Sequence, residues 1–320
     1  MARTGRYVAV AAVVGAALLL GVLVRGNRLG SSLPDGRQVG LVFIHHSCGQ
    51  QWLARVGRWH RRPGLHDALL AKPYIDQRND VTYGVTVPPD QGRPNSLGPV
   101  AGDHTDMCHW ILWFNDYLGS VKRHGCADGE NRVLMFKSCF PLSNIAPDAT
   151  GPGDPFTDAQ TVANYQAVYR HPDGMGPTYE HAGAAYAPLE AILERNPGTL
   201  FIPVTAPPRH YAPEDATSDD EAGRARAFNT WLKHEWLAGY KARTGLANVA
   251  VFDWFDLLAY PNDHTEHPNR LHREYGGDSG DSHPANRARL DSTAVFATAP
   301  GNFIDAAWEA FIGPTERRLG

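Results

Sequence analysis

Ser47 is the residue of this chain that its neighbours best prepare for chemistry. It stands in Leu41-Val42-Phe43-Ile44-His45-His46-Ser47-Cys48-Gly49, an apolar run of strand length that breaks into polar residues. The helix-compatible Gln51-Trp52-Leu53-Ala54-Arg55-Val56 follows. A serine at a strand-to-helix turn projects its hydroxyl from the carboxyl edge of a sheet. The free N–H groups and positive dipole end of the coming helix then face any oxyanion that develops there. Helix capping is the plainer use of such a serine, so the nucleophile reading needs partners. Ser138-Cys139-Phe140-Pro141-Leu142-Ser143-Asn144 and Asp278-Ser279-Gly280-Asp281-Ser282-His283-Pro284 supply them. Together these hold what acyl transfer requires: a serine to attack, a histidine to take its proton, an aspartate to hold the imidazole tautomer and an asparagine amide for the oxyanion.

The elements that must position these groups read as strands alternating with helices. Strands are expected at Leu41–His45, Tyr74–Val85, Arg132–Lys137, Thr199–Val204 and Asn248–Asp253. Pro203 suits an edge or a strand end better than a central position. Helical spacing covers Gln51–Ala71, interrupted near Pro63, then Met107–Leu118, Ala182–Arg195 and Asn302–Ile312. Thr157 with Gln160, and Ser218 with Glu221, are capping-box signatures for two more helices. The second puts Ala225, Phe228, Leu232, Trp236 and Tyr240 on one face and ends at Gly245. This pattern argues for a three-layer α/β/α sandwich with a parallel sheet. Sites in such sheets lie beyond the carboxyl ends of the strands, which is where the three segments fall.

These residues resemble the SGNH (GDSL-like) hydrolase superfamily over residues 41 to about 313. His45-His46-Ser47-Cys48-Gly49 stands where that family has Gly-Asp-Ser, Phe136 to Asn144 where it has Gly-x-Asn-Asp, and Asp281-Ser282-His283-Pro284 where it has Asp-x-x-His-Pro. The resemblance implies a flavodoxin-like, parallel five-stranded sheet of order 2-1-3-4-5. It implies Ser47 as nucleophile, His283 as base and Asp281 as acid, with Asp278 the alternative acid. Ser47, Gly84 and Asn144 would form the oxyanion hole, with Gly102 the alternative glycine. The chain departs from the family in His45-His46 before the serine, in the bulky residues around Asn144, and in an acid two residues before the histidine instead of three. If the first and third strands are neighbours, Cys48 and Cys139 end adjacent strands within disulfide reach, leaving Cys108 and Cys126 as the second pair. Four free buried cysteines are the equal alternative.

Composition bounds the rest. The 320 residues are 42% hydrophobic and 20% charged, ordinary globular values, and the formal charge of −4 offers no basic surface to nucleic acid. Arg3 and Arg6 precede 18 apolar residues, Tyr7 to Val24, just long enough to span a bilayer. Residues 1–28 therefore read as a signal anchor or signal peptide, 29–40 as a linker and 41–320 as the hydrolase domain, held outside the cytoplasm at a membrane or secreted.

Competing readings are weighed residue by residue. His46, Trp52 and Asp106 are candidates to line the substrate cleft. Asp103 to His109 is dense in metal-ligand types, but His104 and Asp106 leave the helical face that His109 shares with Thr105, so no metal or other cofactor is expected. Trp110, Trp113 and Phe114 read as core. The expected partner is a small-molecule or glycan ester, with O-acyl groups on a carbohydrate favoured. An O-acyltransferase with the same triad and a catalytically silent glycan-binding protein are the alternatives.

Overall fold

The computed structural model describes residues 38–58, 61–77, 83–84, 106–123, 129–174, 176–212 and 217–316. The signal anchor, residues 29–37 of the linker, Gly102, His104 and Cys126 lie outside the described residues; the last linker residues instead join the sheet, Val39 bridging Ile75 and Gly40 opening the first strand. Among the described residues no helix is long and apolar enough to cross a membrane.

Four parallel strands form the main sheet. In chain order these are β1 (Gly40–His45), β2 (Tyr83–Gly84), β3 (Asn131–Lys137) and, after a small antiparallel pair β4 (Tyr179–His181) and β5 (Ala184–Tyr186), β6 (Leu200–Val204). Their spatial order is β2-β1-β3-β6. β1, β3 and β6 are buried on both faces because helices cover both, as parallel sheets require. Val42, Ile44, Leu134, Phe136 and Phe201 point into one core, with the helices that carry Trp110, Tyr165, Ile192 and Phe228. Leu41, Phe43, Val133, Met135 and Ile202 point into the other, with Trp52, Leu69, Trp254, Phe296 and Trp308.

The fifth strand is only partly realised. Residues 248–252 run parallel to β6, but through the isolated bridges Phe201↔Val249 and Val204↔Phe252. Phe201 gives its N–H to Asn248 and its carbonyl to Ala250, so residues 201 and 203 face this segment. Pro203 can return only its carbonyl, to Phe252 N–H at 3.0 Å. The missing N–H interrupts the ladder at this point.

Two helix expectations are corrected. Residues 182–186 belong to the β4–β5 hairpin, whose Ala182-Gly183 turn has positive φ at both positions (50° and 80°), the signature of a type I′ turn. The helix proper is Leu189–Glu194. The helix expected from Thr157 starts instead at Val162, capped by Thr161, whose hydroxyl accepts from Asn164 N–H. Thr157 closes a local turn to Ala159 N–H. The Ser218–Glu221 capping box is present, and Ala225, Phe228, Leu232, Trp236 and Tyr240 are all buried.

Candidate active site

β1 ends at His45, and the turn His46-Ser47 leads into helix α1 (Cys48–Leu53). Ser47 has φ 41° and ψ −93°, a conformation that costs a non-glycine residue free energy and persists only where its surroundings hold it. α1 lies close against β1 because residue 49 is glycine. A Cβ there would stand 2.5 Å from the His45 Cβ and 3.0 Å from the Lys137 Cε.

The Ser47 hydroxyl is hydrogen-bonded to His283 Nε2. His283 Nδ1 lies 2.6 Å from Asp281 Oδ1, and the His283 backbone N–H donates to the same oxygen at 3.0 Å. Asp278, the alternative acid, is instead paired with Arg273 at 2.9 Å. Burial pushes the Asp281 carboxyl up. The two hydrogen bonds from His283, with its charge and that of His210, outweigh this and leave it below the usual carboxylate range. The carboxylate is largely open to solvent, at 62% exposed, against 26% for His283. Between them Ser282 is buried, and its hydroxyl is tied to the His210 N–H at 3.2 Å and to His210 Nδ1 at 2.7 Å.

Two tryptophans lock α1 to the helix that follows His283 (Asn286–Thr293). Trp52 of α1 donates to Thr293 Oγ1 at 3.1 Å, and Trp254 to Ser292 Oγ at 2.7 Å. Arg289 adds a bond to the Gln51 carbonyl at 3.0 Å. Trp52 is thus fully buried structure and not a cleft residue, which corrects the expectation from sequence.

The remaining expected residues fall in different places. Gly84 ends β2 in register with His45, at the sheet edge that bears Ser47. Asn144 closes the short 3₁₀ turn Phe140–Ser143, and its Oδ1 is buried without a partner. With its amide nitrogen turned inward, Gln160 ties this turn by donating to the Pro141 and Asn144 carbonyls at 2.7 and 2.8 Å. Asp106 precedes the helix Met107–Asp116, half-exposed, with His109 Nδ1 4.0 Å away. His46 sits in the turn itself, half-buried beside Ser47.

The expected Cys48–Cys139 disulfide is not formed. The sulfurs are 3.5 Å apart, a hydrogen-bonding distance well beyond the roughly 2.05 Å of an S–S bond. The strand ends are adjacent as expected, but both cysteines are free and buried. The Cys108–Cys126 pairing lies outside the described residues.

Four site residues went unread in the sequence. Phe140 packs edge-on against the His283 ring, centroids 5.0 Å apart, and Arg209 lies over the Phe140 ring at 5.8 Å. His210 touches the loop of the acid and base. Both basic residues sit just past the end of β6, so the rule that sites gather beyond strand ends would have found them. Lys137, fully buried at the end of β3, had its signal in a charge closing an apolar run.

No family model matches this chain, and no curated protein does. One solved structure, a Bacteroides fragilis protein described as a "putative acylhydrolase", aligns over 88% of this chain and 92% of its own, with a TM-score of 0.42 and 10% identity. A likeness of that degree carries no argument about function.

Proposed function

We propose that this chain is a serine hydrolase of SGNH type that cleaves an ester through an acyl-enzyme. The observation that carries the reading is the hydrogen-bonded line Ser47–His283–Asp281 at the carboxyl edge of a parallel sheet. His283 Nε2 takes the Ser47 proton as Oγ attacks the ester carbonyl. Asp281 fixes the proton on Nδ1 and stabilises the imidazolium. His283 then gives the proton to the leaving alkoxide, and water, activated by the same imidazole, releases the acid. The turn around Ser47, with Gly84 and Asn144, would receive the oxyanion, in keeping with the resemblance. The substrate class is an ester, with O-acyl groups on a glycan favoured, and the Tyr7–Val24 run would hold the domain at the outer face of a membrane or direct its secretion.

The test is p-nitrophenyl acetate turnover by the full chain beside Ser47→Ala and His283→Ala. Loss in both folded variants, with phosphonate labelling confined to Ser47, is the expected result. Activity that survives Ser47→Ala and disappears with chelator would overturn it.

A further inference from the structure

Asp281 and His283 stand on one loop and bond to each other wherever that loop lies. Their use to Ser47 depends on what places the loop. The helix Asn286–Thr293 holds its far end. On the near side the holding residue is Ser282, which lies between the two and is buried where Asp281 is largely exposed. A buried hydroxyl must find partners for its proton and its lone pairs. Ser282 Oγ accepts the His210 backbone N–H at 3.2 Å and lies 2.7 Å from His210 Nδ1. With the N–H serving a lone pair, the hydroxyl proton goes to Nδ1, and neutral His210 keeps its own proton on Nε2.

His210 is in turn a fixed point. Arg209–Ala212, just past the end of β6, runs along the loop as a strap and is laced to it through the main chain. The Leu271 N–H donates to the Arg209 carbonyl at 2.8 Å, the Tyr211 N–H to the Gly277 carbonyl at 2.8 Å, and the Gly280 N–H to the Ala212 carbonyl at 2.7 Å. Buried Arg270 donates from Nη1 to the His210 carbonyl at 3.4 Å. The approach is closest at Gly277, where a Cβ would stand 1.9 Å from the Leu271 carbonyl oxygen and 2.7 Å from Tyr211 Cε1. A strap so held gives Ser282 a stationary partner, which a site on a loop needs.

We propose that His210 is a positioning residue: through Ser282 it sets how the Asp281–His283 pair is turned toward Ser47. Its effect on rate rests on the serine-hydrolase reading above, whereas the Ser282–His210 tie does not. Releasing the tie leaves the Asp281–His283 bond intact and lets the pair shift as a body. A misplacement of about 1 Å costs on the order of 100-fold in rate.

Two measurements on the full chain test the proposal separately. The first reads the tie without activity, as the nitrogen resonance of His210 Nδ1, detected through the non-exchanging ring protons above pH 8, where an ordinary imidazole is neutral. In Ser282→Ala this resonance moves downfield, as an imidazole nitrogen does when it loses a donor. The same position in both proteins overturns the tie. The second is p-nitrophenyl acetate kinetics. Ser282→Ala and His210→Ala each lower kcat about 10- to 100-fold with KM within about twofold. The double variant is no slower than the slower single one, because both changes remove one tie. His210→Asn, whose amide oxygen takes the place of Nδ1, recovers most of the loss. Wild-type kcat in Ser282→Ala, or losses that multiply in the double variant, overturns the positioning role. Ser282→Ala removes one buried oxygen and no bulk, so it answers even where His210→Ala does not fold. If the wild type itself is inactive, the hydrolase reading fails and the effect on rate with it, and the Nδ1 resonance still decides the tie.

Discussion

Trp52 and Trp254 stack with ring centroids 4.6 Å apart and an interplanar angle of 17°, and they donate to adjacent residues, Thr293 and Ser292, of one helix. One tryptophan belongs to the helix after Ser47, and the helix that both grip begins three residues after His283. The distance between Ser47 and His283 is therefore set by a packed aromatic pair below them.

Trp52→Ala should remove about 3–5 kcal/mol of stability, as large buried aromatics do. Among molecules still folded it should also lower kcat by displacing Ser47 from His283. Urea denaturation beside single-turnover acylation separates the two effects. Full stability in Trp52→Ala would mean that the stack does not carry the joint.

Asp281→Asn should leave the fold intact, because the carboxylate is mostly exposed, and lower kcat by about 10³–10⁴ through the wrong imidazole tautomer. Asp278→Asn should change kcat little, since Asp278 serves Arg273. Comparable losses in the two variants would reverse the choice of acid.

The pH dependence of stability has a definite sign at His45. Its folded pKa, about 3, is below the unfolded value of about 6.5. Between those values the unfolded chain binds a proton that the folded chain refuses, so this contribution is complete above about pH 6.5 and is lost as the pH falls towards 3. The loss is at most about 1.4 kcal/mol per pH unit. Thermal unfolding of the wild type and His45→Gln from pH 7 to pH 4 should show a shallower dependence in the variant; parallel curves would refute it.

Gly49→Ala should be costly although alanine is the better helix former. The added methyl meets the His45 Cβ at 2.5 Å, so α1 must move off β1, at about 1–3 kcal/mol. Phosphonylation of Ser47 by a phosphonate, in which Oγ attacks phosphorus and expels the leaving group, should slow in parallel. An unchanged labelling rate would show that the turn tolerates the shift.

The alternation of apolar strands with amphipathic helices is legible in the sequence, and so is the placing of Ser47, Asp281 and His283 at a strand end and in the last long loop, segments that the fold brings within hydrogen-bonding reach of one another. Residues 182–186 were misread as helix because Ala and Tyr fit either state, and only the backbone of Ala182-Gly183 decides for a hairpin. Trp52 was misread because proximity in sequence to a nucleophile says nothing of which side of a helix faces the core. The thiol pair was placed correctly as neighbours, but covalent bonding depends on a difference of about 1.5 Å between sulfurs that strand order does not determine.

Asp281 and His283 sit two residues apart in one loop, while Ser47 lies 236 positions from His283. Half of the hydrogen-bonded line is therefore a local motif that travels as a unit. The other half is a single seam between distant parts of the chain. A change that opens this seam would part Ser47 from His283 and leave the Asp281–His283 half as it is.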